Sequence, residues 1–360
     1  MQLRIPGPTP VPEEILGAQT KQMINHRGKE FTALIRKITE QLKGCFQTKG
    51  DVLILTASGT AGMEAAVVNT LSPGDPVLAV TIGAFGERFA DIAQRYGADV
   101  RRLAFEWGHP ADPEAIRGAL KAAPDIRAVL VTHNETSTGV TNDLESISKV
   151  VKEFDKLILV DAVSSIGSID LPTDRWQCDV VVTGSQKGWM TPPGLSMVSM
   201  NERAWQAYDK AKMPRFYLDL GKSRKFYDEK GQTPWTPAVS TFYAMSAALD
   251  MIEKETLPKI FERHSRTARA AREGVKSLGL KLFPQEAYAS NTVTAIHGPD
   301  GVDVKKLLQI LREDHGVVLS GGQGKLEGKI FRIGHLGWVS EADIEEVVKA
   351  VEAALPGARA

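Results

Sequence analysis

Two runs, Leu157-Ile-Leu-Val-Asp161 and Val180-Val-Val-Thr-Gly-Ser-Gln-Lys-Gly188, decide the fold. Each is a short, almost unbroken apolar stretch that leads into a charged side chain. Unbroken rather than alternating apolar character marks strands covered on both faces, the habit of parallel sheets flanked by helices. Asp161 and Lys187 then stand at strand carboxyl ends, the edge where ligands of open α/β sheets collect.

Outward from this pair, strand-like runs at 52–56, 77–80, 100–103, 128–132 and 195–200 are interleaved with helical patterns at 61–71, 85–96, 113–122 and 144–154. Such alternation means crossover units, and it predicts an α/β fold with a mostly parallel seven-stranded sheet. Near Thr256 the pattern changes. A long charged helix at 257–277 precedes strand-like 281–283 and 292–297, then 304–314, 330–333 and 341–354, which together predict a smaller C-terminal α+β unit. At the other end, Pro6-Gly-Pro-Thr-Pro-Val-Pro12 cannot form a helix interior or a central strand, because proline removes backbone donors and fixes φ. The expected organisation is an extended arm at 1–20, a large unit at 21–255 and a small unit at 256–360. The stretch 213–237 is the longest without clear periodicity, and long connections of this kind are more often functional than idle.

Composition narrows the function classes. With 42% hydrophobic and 24% charged residues in 360, the chain has ample core for a globular fold. Lys plus Arg and Asp plus Glu number 44 each and form no like-charged block, which argues against nucleic acid or an acidic membrane as partner. The two cysteines, Cys45 and Cys178, lack metal-ligand spacing, so no metal site is expected and a reducing cytoplasm fits. The first residues have no apolar signal core, and longer apolar stretches are broken by Gly, Pro or charge well short of a membrane span.

A lone lysine after a strand is most often a solvated surface charge. Its neighbours change that reading. Asp161 sits at the same sheet edge, where a carboxylate can hold the proton of a pyridine nitrogen and keep the ring an electron acceptor, although Asp is also a common helix cap. Ala57-Ser-Gly-Thr-Ala-Gly62 lies between a strand and a helix, where free N–H groups and the helix dipole favour a phosphate. Neither the dinucleotide pattern GxGxxG nor the Walker pattern is present there.

With Asp161 and Lys187 26 positions apart and the local text Ser185-Gln-Lys-Gly-Trp-Met-Thr-Pro-Pro-Gly194, the chain resembles the class V, fold-type-I aminotransferases, nearest to the serine:glyoxylate and alanine:glyoxylate enzymes. The resemblance runs from Gly7-Pro8 and Asn25-His-Arg-Gly-Lys-Glu-Phe31 to Phe331-Arg-Ile-Gly-His-Leu-Gly337. It implies pyridoxal 5′-phosphate as cofactor, Lys187 as the Schiff-base lysine and later the proton carrier, and Asp161 as partner of the ring nitrogen. By the same resemblance Ser58, Gly59 and Thr60 cradle the phosphate, with Gln186 on the phosphate side. Phe85 stacks on the ring where the family often has Trp, Val163 walls its other side, and Thr136 bonds the phenolic oxygen. Arg332 grips the substrate carboxylate and Gly7 lies on the substrate side. Thr236 reaches the phosphate from a neighbouring subunit, which implies a homodimer, while Thr233 replaces a family Tyr.

The implied activity is ping-pong transfer of an amino group from serine or alanine to glyoxylate or pyruvate. A 2-aminoethylphosphonate:pyruvate aminotransferase would share this apparatus, and a catalytically silent cofactor-binding subunit is a further alternative. A cysteine desulfurase would need a nucleophilic cysteine in the loop before Arg332, and 319–325 contains none.

Overall fold

The computed structural model describes residues 1–359. Its centre is a seven-stranded sheet built from β1 (Asp51–Ala57), β2 (Pro76–Thr81), β3 (Asp99–Ala104), β4 (Ala128–Thr132), β5 (Leu157–Asp161), β6 (Val180–Gly184) and β7 (Gly194–Met200), in the order β3-β2-β4-β5-β6-β7-β1. Only β7 runs antiparallel to its neighbours, β6 and β1; the other pairings are parallel. The fold is therefore the α/β class with a mostly parallel sheet that the apolar runs predict.

The unbroken apolar runs exist because both sheet faces are buried. Val129, Ile158, Val160 and Val181 face α1 (Lys29–Phe46), α4 (Pro113–Ala122), α5 (Leu144–Glu153) and α6 (Val239–Glu255) in one core. Their sequence neighbours Leu130, Leu159, Val180 and Val182 face α2 (Gly59–Thr70) and α3 (Ala84–Arg95) in the other. Each such buried Val or Leu contributes about 1.5–3 kcal/mol relative to an exposed one.

Beyond α6, α7 (Leu257–Ser277), α8 (Val304–Glu313) and α9 (Glu341–Ala354) pack around a three-stranded antiparallel sheet of β8 (Val293–His297), β9 (Ser320–Gly321) and β10 (Ile330–Gly334), in the order β8-β10-β9. Leu307 and Leu311, Phe331 and Ile333, and Val347 and Val351 form its core.

The N-terminal segment joins the two sheets. Gln2–Leu3 pairs in parallel with Val317–Val318, the Arg4 carbonyl accepts from Gly334 N at 2.7 Å, and Thr9 N donates to Gln186 O at 3.1 Å. Arg4 forms a 2.6 Å ion pair with Asp343 in the capping box that starts α9.

Several local expectations are corrected. The arm does not stay extended through residue 20, because Glu13–Ala18 is a helix with Ile15 and Ala18 buried. Residues 281–283 form no strand; Leu282 makes a single bridge to Ile296. Helices Lys29–Phe46, Glu202–Tyr208, Leu220–Lys230 and Val239–Glu255 lie where no helix is expected. For Leu220–Lys230 the reason is physical: it buries only Leu220 and Ser223, too little apolar surface to leave a periodic trace.

The approach of α2 to the sheet yields a stability test. A Cβ at Gly62 would lie 2.3 Å from Ser196 Oγ and 2.5 Å from Val182 Cγ1, whereas a Cβ at Gly118 on α4 would meet nothing within 4 Å. Gly62→Ala should cost roughly 1–3 kcal/mol and lower the melting temperature by several degrees. Gly118→Ala should instead be neutral or stabilise by about 0.5–1 kcal/mol. Similar melting temperatures for both variants would contradict this packing.

Candidate active site

Because β1, β2, β4, β5 and β6 all run in one direction, their carboxyl ends bring Ser58, Gly83 to Phe85, His133 to Ser137, Asp161 and Gly184 to Lys187 to one edge of the sheet. This is the edge at which the sequence places the site.

Lys187 follows β6 in a loop that returns to β7, and the loop is stapled from within. Ser185 Oγ donates to Pro192 O at 2.7 Å and accepts from Leu195 N at 3.1 Å, Thr191 Oγ1 donates to Ser185 O at 2.7 Å, and the fully buried Trp189 donates to Thr183 Oγ1 at 3.1 Å. The lysine is 8% exposed, and its Nζ donates to the Pro6 carbonyl at 2.5 Å. Gly7 covers it: at φ +137°, a Cβ there would come 2.6 Å from Nζ. Burial pushes the Lys187 amine down to about 8, helped by the Arg332 and Arg88 charges and opposed by Asp161.

Asp161 closes β5. Its Oδ1 accepts from Val163 N at 2.9 Å, and Thr132 Oγ1 lies 3.5 Å from Oδ2. Burial raises its carboxyl to about 6; the Val163 N–H and the Lys187 and Arg88 charges pull it back, and Glu135 pushes it further up.

Two helices begin at this edge and are treated differently. α3 starts at Gly83 without a cap of its own, and Glu135 and Ser137 supply one. Glu135 Oε2 accepts from Phe85 N and Gly86 N, both at 3.0 Å, and Ser137 Oγ accepts from Ala84 N at 2.9 Å. Burial holds the Glu135 carboxyl above the usual range even so. Gly83 must be glycine here, since a Cβ would sit 2.3 Å from Glu135 Cγ. α2 starts at Ser58 with no side-chain cap, so its first N–H groups remain free. Gly59 and Gly184 bring their backbones together there, and a Cβ on Gly59 would strike Val163 at 2.8 Å.

Arg332 on β10 comes from the C-terminal sheet and is 4% exposed. Its Nε and Nη2 donate to Gly321 O at 2.9 and 2.7 Å, and Nη1 donates to Thr136 O at 2.9 Å. Its partners are carbonyls, not carboxylates, and burial lowers the guanidinium to about 10. Asn134 in the same loop donates to Ser164 Oγ at 2.7 Å within the large unit and to Thr292 Oγ1 at 2.9 Å in the C-terminal part.

The fold thus brings Gly7, Ser58, Gly59, Thr60, Phe85, Thr136, Asp161, Val163, Gln186, Lys187 and Arg332 around one sheet edge. Thr236 is different. It is exposed beside the Thr56 end of β1 and Tyr217, and within the chain its side chain makes no hydrogen bond to the others. Three contributors escape the sequence reading: Glu135, Arg88 and the Pro6 carbonyl. The first two stand inside the runs His133-Asn-Glu-Thr-Ser-Thr-Gly139 and Ile82-Gly-Ala-Phe-Gly-Glu-Arg88, where they read as ordinary loop and helix charges.

A phosphorylated pyridine aldehyde fits this donor set. Lys187 offers an amine to the aldehyde, Asp161 a buried carboxylate to a protonated ring nitrogen, and α2 its free N–H groups to a phosphate. The Gln186 amide beside Gly59 is unpartnered, its Oε1 buried without a hydrogen bond.

Comparison with known proteins agrees with this chemistry. The family model for class-V aminotransferases matches residues 10–331. The chain is 46% identical to the small subunit of a soluble hydrogenase from Synechococcus sp. over 98% of its length and 92% of that protein. It is 39% identical to an L-aspartate–glyoxylate aminotransferase from Paracoccus denitrificans, covering 94% and 87% respectively. Among solved structures, an alanine–glyoxylate aminotransferase from Nostoc sp. superposes with a TM-score of 0.95 at 33% identity, over 98% of this chain and 94% of that one. The chain belongs to the class-V aminotransferases, enzymes of fold type I that depend on pyridoxal phosphate.

Proposed function

We propose that this aminotransferase moves the amino group of a small donor, serine or alanine, to glyoxylate or pyruvate in two alternating half-reactions. In this reading it acts as a homodimer, with Thr236 of one copy completing the phosphate site of the other. The large unit ends at residue 255, and Thr256, between α6 and α7, is the joint to the small unit.

The observation that carries the reading is the Arg332 guanidinium. A buried cation that meets only carbonyl oxygens is several kcal/mol short of compensation, and an incoming carboxylate supplies it through paired charge-assisted hydrogen bonds. Arg332 is near enough to Lys187 for its charge to help lower the amine, so a carboxylate held there would lie in the same site as Nζ. The close cover of Pro6 and Gly7 over Nζ favours a donor with a small side chain. Glyoxylate as acceptor draws support from the names of two of the proteins above. The hydrogenase name belongs to that relative; in this chain Cys45 lies buried in α1, and Cys178 lies buried before the amino end of β6, opposite the Lys187 edge.

Pyridoxal phosphate supplies the electron sink that makes the donor's α-proton removable. The protein's part is to position and to carry protons. With a value near 8 rather than the ordinary 10.4, Lys187 has a useful neutral fraction at physiological pH and serves as the base for that proton. Asp161 would supply a carboxylate to a protonated ring nitrogen, and Glu135 fixes the start of α3 so that Phe85 keeps its place.

Three outcomes are expected. Lys187→Ala loses the visible absorbance of the cofactor-loaded protein and its transamination; turnover at the normal rate would remove Lys187 from its role. Arg332→Ala keeps the absorbance, but KM rises by roughly 100-fold for amino and oxo acids alike, because both lose the same carboxylate partner. Screening alanine, serine, aspartate and 2-aminoethylphosphonate against glyoxylate and pyruvate decides the pair, and activity confined to the phosphonate would overturn the proposed donor.

The buried amine also leaves a mark on stability. The folded value near 8 lies below the unfolded one, so between them the unfolded chain binds more protons. The destabilisation is therefore complete below pH 8 and disappears as pH rises toward about 10.4. Cofactor-free Lys187→Met should be more stable than cofactor-free wild type at pH 7, by up to about 3 kcal/mol, with the advantage shrinking above pH 8. Unfolding curves at pH 7, 8.5 and 10 would contradict a buried amine if the difference did not change with pH.

A further inference from the structure

The phosphate cradle has a charge deficit. A phosphate monoester carries about −1.5 to −2 at neutral pH, and a helix N-terminus offsets roughly half a charge. Ser58, Gly59, Thr60, Gln186 and Thr236 are all neutral. About 1 to 1.5 negative charges are left without a counterpart in that set.

Arg88 stands where the missing charge is needed. It lies one turn along α3 from Phe85, with its guanidinium carbon 4.6 Å from the Phe85 ring centre and its Nη1 3.5 Å from Thr60 Oγ1 at the start of α2. Acidic neighbours on the same surface cavity are engaged elsewhere. Glu87 and Asp91 bind Arg102 at 3.3 and 2.6 Å, and Glu64 accepts from Tyr96 Oη at 2.9 Å. Among the described residues no carboxylate comes within ion-pair distance of Arg88, and Thr60 is its one hydrogen-bond partner. A guanidinium beside the positive end of α2 is a repulsive pairing until an anion lies between them. Its planar fork of N–H donors suits phosphate oxygens.

We propose that Arg88 is the cationic ligand of the cofactor phosphate, closing the cradle on the side opposite Gln186 while its planar face supports Phe85. The assignment rests on the phosphate lying at the α2 N-terminus. It also accounts for an exposed arginine whose charge is felt at both Asp161 and Lys187.

The test compares cofactor-free full-length wild type, Arg88→Ala and Arg88→Lys in titrations with pyridoxal phosphate and with pyridoxal, which keeps the ring and aldehyde but has no phosphate. Binding is followed by visible absorbance and by tryptophan fluorescence. Arg88→Ala should weaken pyridoxal phosphate about 10- to 100-fold and pyridoxal far less, the small common loss reflecting the Phe85 contact, with Arg88→Lys recovering part of the phosphate-dependent loss. Inorganic phosphate should raise the melting temperature of cofactor-free wild type more than that of cofactor-free Arg88→Ala. Equal weakening of both ligands would overturn the proposal by placing the effect in the ring and Phe85, and unchanged affinity for both would overturn it outright. A wild type that does not distinguish the two ligands would fail the cradle itself, an outcome separate from failure of Arg88 alone.

Discussion

Two cations buried at one sheet edge, the Lys187 amine and the Arg332 guanidinium, are each held by backbone carbonyls: Pro6 O for the first, Gly321 O and Thr136 O for the second. A carbonyl orients a donor without neutralising it, so both charges remain available to a ligand. The arrangement is costly in the cofactor-free chain, since burial opposes the charged form in each case. Stability is given up at the place where the proposed chemistry needs a readily deprotonated amine and a guanidinium without a carboxylate partner, a common feature of functional sites.

The two helix starts at this edge divide the anionic work. Glu135 fills the N-terminus of α3 with a carboxylate of the chain's own, which locks Phe85 in place and leaves no room there for an external anion. α2 has no such cap, and close packing of Gly59 against Val163 and Gly184 keeps its N-terminus open. One uncapped helix beside one capped helix specifies where a phosphate goes more sharply than a glycine-rich turn alone.

The sheet was legible because both its faces are covered, so that β5 and β6 read as unbroken apolar runs ending in Asp161 and Lys187. Helix Leu220–Lys230 was not, since it buries too little to be periodic. At the sheet edge, the residues that sequence reading singles out are those whose type matches a chemical need: an amine, a carboxylate, an arginine, small residues at a turn. Those that act through placement could not. Glu135 looks like a loop acid until its carboxylate is seen on two N–H groups of α3, and Arg88 looks like a surface charge until its neighbours prove to be engaged elsewhere. The carbonyl of Pro6 carries no side-chain signal at all; only the fold shows that a residue 181 positions away is the partner of Lys187.

That last contact also ties the two sheets together mechanically. β10 carries Arg332 and, two residues later, Gly334, whose N–H holds the Arg4 carbonyl. From Arg4 the arm needs only two more residues to set the Pro6 carbonyl on Lys187 Nζ. Glycine is required at both ends of this short path: a Cβ at Gly334 would lie 2.2 Å from Ile5 O, and one at Gly7 would lie 2.6 Å from Nζ. The strand that carries Arg332 and the loop that carries Lys187 are therefore referenced to the same few residues of backbone. β10 is thus linked to the large sheet twice, through the arm to Lys187 and through the Arg332–Thr136 hydrogen bond, and the arm's proline-rich stiffness helps set the distance between Arg332 and Lys187.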